Sequence, residues 1–179
     1  MARRETVARR YAEAAFDVGR TDGTLDAWEG DLARLGALLD SGELRRFLEH
    51  PAVPFARKEA VLQKLAGGDV SREALALVLL MVRRGRPGAI GRMIEYFGEL
   101  LRRERGIALA EVRTALPLDD AQRRALEERL AEMTGETIEM REMVDEDLIG
   151  GIAVRIGDTL YDASVRSRLE RLRARMTAV

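Results

Sequence analysis

The chain has a single histidine, His50, set directly before Pro51. An imidazole works as a general base only with a reacting group in reach and a third group to orient it. There is no cysteine and no second histidine to share a metal or a triad with it, so His50 reads as a turn residue. A small hydrolase would have only this imidazole in its favour. Asp145, Glu146 and Asp147 form an acidic run, but it lacks the spacing of a calcium-binding EF-hand loop and reads as a solvated loop or helix start. Gly85, Gly88 and Gly91 follow a predicted helix and have the wrong spacing for a dinucleotide loop, which follows a strand. Gly150-Gly151 precedes a strand and suits a tight backbone turn better than a phosphate cradle. No GxxxxGK[ST] segment occurs. Met133, Met140 and Met143 read as core filler. The expectation is a protein that is not an enzyme, with no catalytic residue, no metal and no cofactor.

The composition points the same way. Of 179 residues, 46% are hydrophobic and only 4% aromatic, so the cores must be built from Ala, Leu, Val, Ile and Met, a mix that favours helix. The formal net charge of −1 argues against a general nucleic-acid binder, which needs surplus positive charge to displace counterions. Without cysteine, disulfides and thiol chemistry are excluded. No segment reaches the ~18 apolar residues of a membrane span. The opening Met1-Ala2-Arg3-Arg4-Glu5 leads into a helix rather than an apolar signal core, so a cytoplasm-like compartment is expected.

The elements fall into two groups. Periodicity predicts helices over 6–18, 28–39, 43–49, 55–65, 71–84 and 90–105. They are separated by Ser41-Gly42, the rigid His50-Pro51-Ala52-Val53-Pro54 turn, Gly67-Gly68 and Gly85-Arg86-Pro87-Gly88. Ser71 or Asp69 is the expected N-cap of the fifth helix. Period-two alternation begins at Ile107 and stops at Pro117. Asp119 and Gln122 can form a capping box for a helix to Met133, stopped by Gly135. Further strands are predicted at Ile138–Glu142, Ile152–Ile156 and Thr159–Tyr161. A last helix, capped by Asp162 or Ser164, carries Val165, Leu169, Leu172 and Met176 on one face. The expected fold is mainly α: a six-helix bundle over residues 1–105, then a small α/β domain over 106–179. The second segment has 11 basic and 15 acidic side chains, yet its last helix is basic, with Arg166, Arg168, Arg171, Arg173 and Arg175 against Glu170 alone. That helix is a candidate binding surface. A nucleic-acid adaptor built on it would lack stacking aromatics.

The remaining signals are surfaces. On a helical wheel the apolar and small residues between Val7 and Gly19 cover an arc of about 200°, whereas one core face needs roughly 100°. Half can face a core while half waits for a partner. Tyr11 prefers one end in water, which places the side with Val7, Tyr11, Ala14 and Val18 outward. The fifth helix is apolar at every position from Ala74 to Val82. Its one plausible solvent side, marked by Arg72, Glu73, Arg83 and Arg84, contains Ala76 and Leu80, which suits a docking helix.

Four stretches resemble a known family. They are Thr6-Val7-Ala8-Arg9-Arg10-Tyr11-Ala12-Glu13-Ala14-Ala15-Phe16-Asp17; the short helix with His50-Pro51 and Lys58; the Arg84-Gly85-Arg86 turn; and a C-terminal signature. That signature includes Ile138, Met140, Val144-Asp145, Leu148, Gly150-Gly151-Ile152, Gly157-Asp158, Asp162 and Ser164-Val165-Arg166. Together they resemble the δ subunit of bacterial F-type ATP synthase, counterpart of the mitochondrial oligomycin-sensitivity-conferring protein. The resemblance implies a stator subunit of the peripheral stalk that links the catalytic hexamer to the membrane-anchored b subunits during proton-driven ATP synthesis. It implies that the N-terminal domain binds N-terminal helices of α subunits between the first and fifth helices, at Val7, Tyr11, Ala14, Val18, Ala76 and Leu80. The C-terminal domain would bind the end of the b coiled coil, with Asp145, Gly150, Gly151, Gly157 and Asp162 as structural positions. No nucleic acid is implied, and membrane contact only through the complex, at the cytoplasmic face of a bacterial plasma membrane.

Overall fold

The computed structural model describes the backbone of residues 2–177 and the side chains of residues 5–173. The chain divides after Leu101 into two compact units.

The first unit is helical: α1 (Ala2–Thr21), α2 (Leu25–Leu39), α3 (Gly42–Glu49), α4 (Phe55–Ala66), α5 (Arg72–Arg83), a 3-10 turn at Pro87–Ala89, and α6 (Ile90–Glu104). α1 carries glycine at position 19 because that position must stay small. A Cβ there would lie 2.9 Å from Trp28 Cδ1, so glycine lets the side chain of α2 press against α1. The core gathers Ala8, Ala12, Ala15 and Phe16 of α1 with Leu32, Val78, Met81, Met93 and Phe97. Its few aromatics are concentrated: Phe16 meets Phe97 edge-on at 6.1 Å between ring centres, and Trp28 lies 6.3 Å from the same ring.

Two polar ties hold the helices in place. Lys58 Nζ donates to the Leu48 carbonyl at 2.6 Å, satisfying an acceptor in the last turn of α3. Asp31 is buried on α2, and its Oδ2 accepts the Ser71 backbone N–H at 2.9 Å, while Ser71 Oγ caps α5 by accepting from Ala74 N–H. Replacing Asp31 with Ala would strand that donor and free the start of α5. The expected loss is about 1–3 kcal/mol. It would be read as a lower denaturation midpoint by fluorescence of Trp28, the only tryptophan.

The second unit is a four-stranded sheet: β1 (Ile107–Thr114), β2 (Thr137–Val144), β3 (Ile152–Ile156) and β4 (Thr159–Asp162), with α7 (Asp120–Thr134) and α8 (Val165–Thr177). The strand order is β2-β1-β3-β4. β1 and β2 are parallel, with Ile107 opposite Thr137, which requires the α7 crossover; β3 returns antiparallel to β1, with Val112 opposite Val154. Ala110, Val112, Leu130 and Val154 form the core. The capping box forms as the spacing predicts: Asp119 Oδ1 accepts the Gln122 N–H at 2.7 Å, and Gln122 Oε1 accepts the Asp119 N–H at 3.1 Å. Glu142 on β2 anchors the same helix end, accepting the Leu118 N–H at 2.7 Å and pairing with Arg123 at 2.5 Å. One expectation fails. Met140 packs on this core, but Met133 and Met143 are about half exposed, at 52% and 54%. A short strand and an amphipathic helix each bury one face only, and these two side chains lie on the other.

Candidate functional site

On α1 the wide apolar arc splits. Ala8, Ala12, Ala15 and Phe16 are buried, Val7 and Tyr11 are half-buried, and Ala14 and Val18 are exposed. α5 splits too: Ala74, Val78, Met81 and Val82 are buried, whereas Ala76 is exposed and Leu80 is 42% exposed. Each helix therefore carries more apolar surface than its own core covers.

A groove of about 530 Å³ opens where α1 meets the end of α5. It is lined by Val7, Arg10, Tyr11, Ala14, Arg84 and Arg86. The structure thus brings Val7, Tyr11 and Ala14 together. Val18, Ala76 and Leu80 lie outside this lining. Ala76, Leu80 and Arg84 are spaced four residues apart, so they share one stripe of α5 that runs up to the groove. The three arginines were not anticipated as lining residues. Arg10 could have been found from its position three residues after Val7. Arg84 and Arg86 are placed by backbone: Arg84, Gly85 and Arg86 N–H groups donate to the carbonyls of Leu80, Val82 and Met81, and Gly85 adopts φ 69°, a left-handed helix end for which glycine is suited. The result is an apolar floor with a cationic rim. A larger hollow of about 740 Å³ is lined by Glu49, Lys58, Pro87 and Gly88 among others. Leu48, Val82 and Ala89 give it apolar lining too, but Glu49, Lys58 and the shared Arg84 and Arg86 make it the more polar of the two.

The candidate chemical residues resolve as structural parts. His50 is exposed at the end of α3, and its Nδ1 accepts the Ala52 N–H at 3.3 Å, a turn contact. Asp145 Oδ1 accepts the Asp147 N–H at 3.1 Å and Oδ2 pairs with Arg113 on β1 at 3.3 Å. The acidic run is therefore a capped 3-10 turn over Glu146–Leu148.

The signature residues act through backbone around the start of α8. Gly151 sits at φ 80°, and a Cβ there would lie 2.6 Å from the Ala163 carbonyl oxygen. The Gly150 carbonyl accepts the Val165 N–H at 2.9 Å. Gly157, at φ 56°, makes the tight connection between β3 and β4. Asp162 Oδ1 accepts the Ser164 N–H at 2.9 Å, and Ser164 Oγ accepts the Ser167 N–H at 3.1 Å. Ser164 is thus the cap, and Asp162 supports it. Met176, predicted to continue the apolar face of α8, and Arg175 lie outside the residues whose side chains are described.

Side-chain and backbone hydrogen bonds from Ser164 hold the Asp162 carboxyl below the usual carboxylate range. A depressed carboxylate contributes stability above its ordinary titration range, and loses it as pH falls through and below that range. Asp162→Ala should therefore melt below the wild type at pH 7, with the gap narrowing as pH falls below the ordinary carboxylate range. A melting series against pH reads the difference directly, and a gap that stayed constant with pH would contradict it.

No helix among the described residues is long and apolar enough to cross a membrane. Comparison with known proteins gives a consistent picture. Residues 7–176 match the family described as ATP synthase delta (OSCP) subunit. The ATP synthase subunit delta of Heliobacterium modesticaldum is 40% identical over 168 residues, covering 93% of this chain and 91% of that one. That of Syntrophomonas wolfei is 35% identical over 173 residues, covering 96% and 95%. Among solved structures, a chain of the Toxoplasma gondii mitochondrial ATP synthase hexamer shares the fold, with a TM-score of 0.77, 24% identity and coverage of 96% of this chain and 98% of that chain.

Proposed function

Because this chain belongs to the ATP synthase delta (OSCP) subunit family, we propose that it holds the stator together through two separate helix-docking surfaces, one on each unit. It is a non-catalytic subunit of the peripheral stalk of F-type ATP synthase. Its work is mechanical: a stalk resists torque and transfers no group.

The first surface is the α1/α5 face of residues 1–105, read as a six-helix bundle. Its occupant is an N-terminal amphipathic helix of an α subunit, lying against Val7, Tyr11, Ala14, Val18, Ala76 and Leu80. The observation that carries this reading is the exposed apolar half of α1 beside an apolar-floored groove. Burying a few such side chains contributes about 1.5–3 kcal/mol each, enough for a small number of anchors to dominate affinity. The second surface lies on residues 106–179 and takes the end of the b-subunit coiled coil. Asp145, Gly150, Gly151, Gly157 and Asp162 shape that unit. On this reading the protein sits at the cytoplasmic face of a bacterial plasma membrane, held there through its partners.

Isothermal titration with a synthetic peptide of the first ~20 residues of the cognate α subunit, a helix of about 30 Å, tests the first surface. Saturable 1:1 binding is expected. Absence of binding to well-folded protein would remove the α-subunit assignment.

A further inference from the structure

Among its described side chains, residues 165–173, α8 shows no covered face. From Val165 to Arg173 none of its described side chains is buried, and only Ser167 is half-buried. Val165, Leu169 and Leu172 are 39%, 53% and 55% exposed. An isolated helix of this length is marginal in water. What fixes its start is the cap made by Asp162 and Ser164. A helix with this much apolar surface and no covering element is half of a packing arrangement.

Spacing and flanking charge together point to the other half. Val165, Leu169 and Leu172 follow each other at four and then three residues, the alternation of a coiled-coil seam. In that register the positions flanking the seam are Arg166 and Arg173 on one side and Arg168 on the other. Glu170 and Arg171 fall outside the flanks. Arg166 pairs with Glu170 at 3.2 Å, a surface pair worth little and readily exchanged. Flanking positions set partner choice in coiled coils, and like charges placed opposite one another disfavour pairing. A second copy of this chain would set arginine against arginine.

We infer that α8 is one strand of a heteromeric coiled coil, completed by a partner helix that carries heptad-spaced apolar residues and acidic side chains at its flanking positions. This rests on the reading above that the second unit receives the b subunit, and it names the chemistry by which b is chosen. Ile149 is a further exposed apolar side chain near the start of α8. It is 70% exposed at φ 63°, a left-handed conformation that is strained for a β-branched residue. It also stands next to Gly150, whose carbonyl receives the Val165 N–H. Strain kept at an exposed isoleucine fits an anchor held out for a partner.

The test is a titration of the full chain with the soluble segment of its cognate b subunit at two salt concentrations. Wild type should bind, more weakly at high salt. The triple variant Arg166→Glu, Arg168→Glu, Arg173→Glu should lose about 30-fold or more at low salt and much of the salt dependence. Leu169→Asp should lose about 100-fold. Ile149→Gly should weaken binding while melting no lower than wild type, because it removes strain together with the anchor. Circular dichroism and hydrogen exchange of the β1 and β3 amides in each variant should match wild type, since the altered side chains are exposed. If b binds wild type and the charge-reversed and Leu169→Asp proteins alike, the coiled-coil inference is overturned and the b assignment stands. If b fails to bind wild type, the b assignment falls and the inference falls with it.

Discussion

Ala14→Asp is expected to lower affinity for the α N-terminal peptide by at least about 100-fold while leaving the fold intact. Ala14 is exposed on α1 and lines the groove with Val7 and Tyr11, so a carboxylate there costs the free protein little. Once a helix covers the groove, the same carboxylate loses its water, and an incompletely paired buried charge costs several kcal/mol. Each 1.4 kcal/mol is a factor of ten in affinity. Arg10, Arg84 and Arg86 line the same groove and could offset part of that cost. Ala14→Leu is therefore the companion variant, since it tests whether the floor has room without adding charge. Titration of both variants with the peptide, alongside thermal melts, separates docking from folding. Unchanged affinity in Ala14→Asp would move the docking site elsewhere.

Gly151→Ala should be the most damaging single-methyl change in the second unit, costing about 2–5 kcal/mol. Two terms add. A non-glycine residue in the left-handed region costs about 1–2 kcal/mol. The new Cβ would also meet the Ala163 carbonyl oxygen at 2.6 Å and Ser164 Cα at 3.1 Å, both backbone atoms that cannot swing aside, and overpacking of this kind costs about 1–3 kcal/mol. Gly157→Ala supplies the control. Its φ is also positive, at 56°, but nothing lies within 4 Å of the added carbon, so only the backbone term of about 1–2 kcal/mol applies. Hydrogen exchange of the β1 and β3 amides would report the second unit. Fluorescence of Trp28, on α2, reports the first and should not change. Equal effects at the two glycines would show that the approach to Ala163 is relaxed in solution.

What could be read before the structure was local. The overwide apolar arc of α1, the Asp119–Gln122 capping box, the caps narrowed to Ser71 or Asp69 and to Asp162 or Ser164, and the turn role of Gly150-Gly151 each involve residues close in sequence. In such segments the helical or extended repeat alone decides which side chains share a face. The C-terminal signature was read through its resemblance to a known family; the structure shows why Gly151 and Gly157 stand in it, since other residues adopt their backbone angles only at a cost. The resemblance to the delta subunit family added the function, which composition and periodicity did not contain.

Tertiary structure alone decided the rest. Asp31 caps the environment of Ser71 across 40 positions of chain, and nothing in either segment marks the pairing. The β2-β1-β3-β4 order follows from a parallel crossover followed by an antiparallel return, while alternation tells only which residues of a strand lie on the same side. Met133 and Met143 turned out exposed because hydrophobic type does not say which face of an element is covered. Arg10 comes to the groove from α1 and Arg84 and Arg86 from the turn after α5, and only the packing of α1 against α5 could bring them there. Repeating patterns in the sequence determine faces, because their periods are set by backbone geometry. Which face meets which is set by packing between distant segments, and so is visible only once the chain has folded.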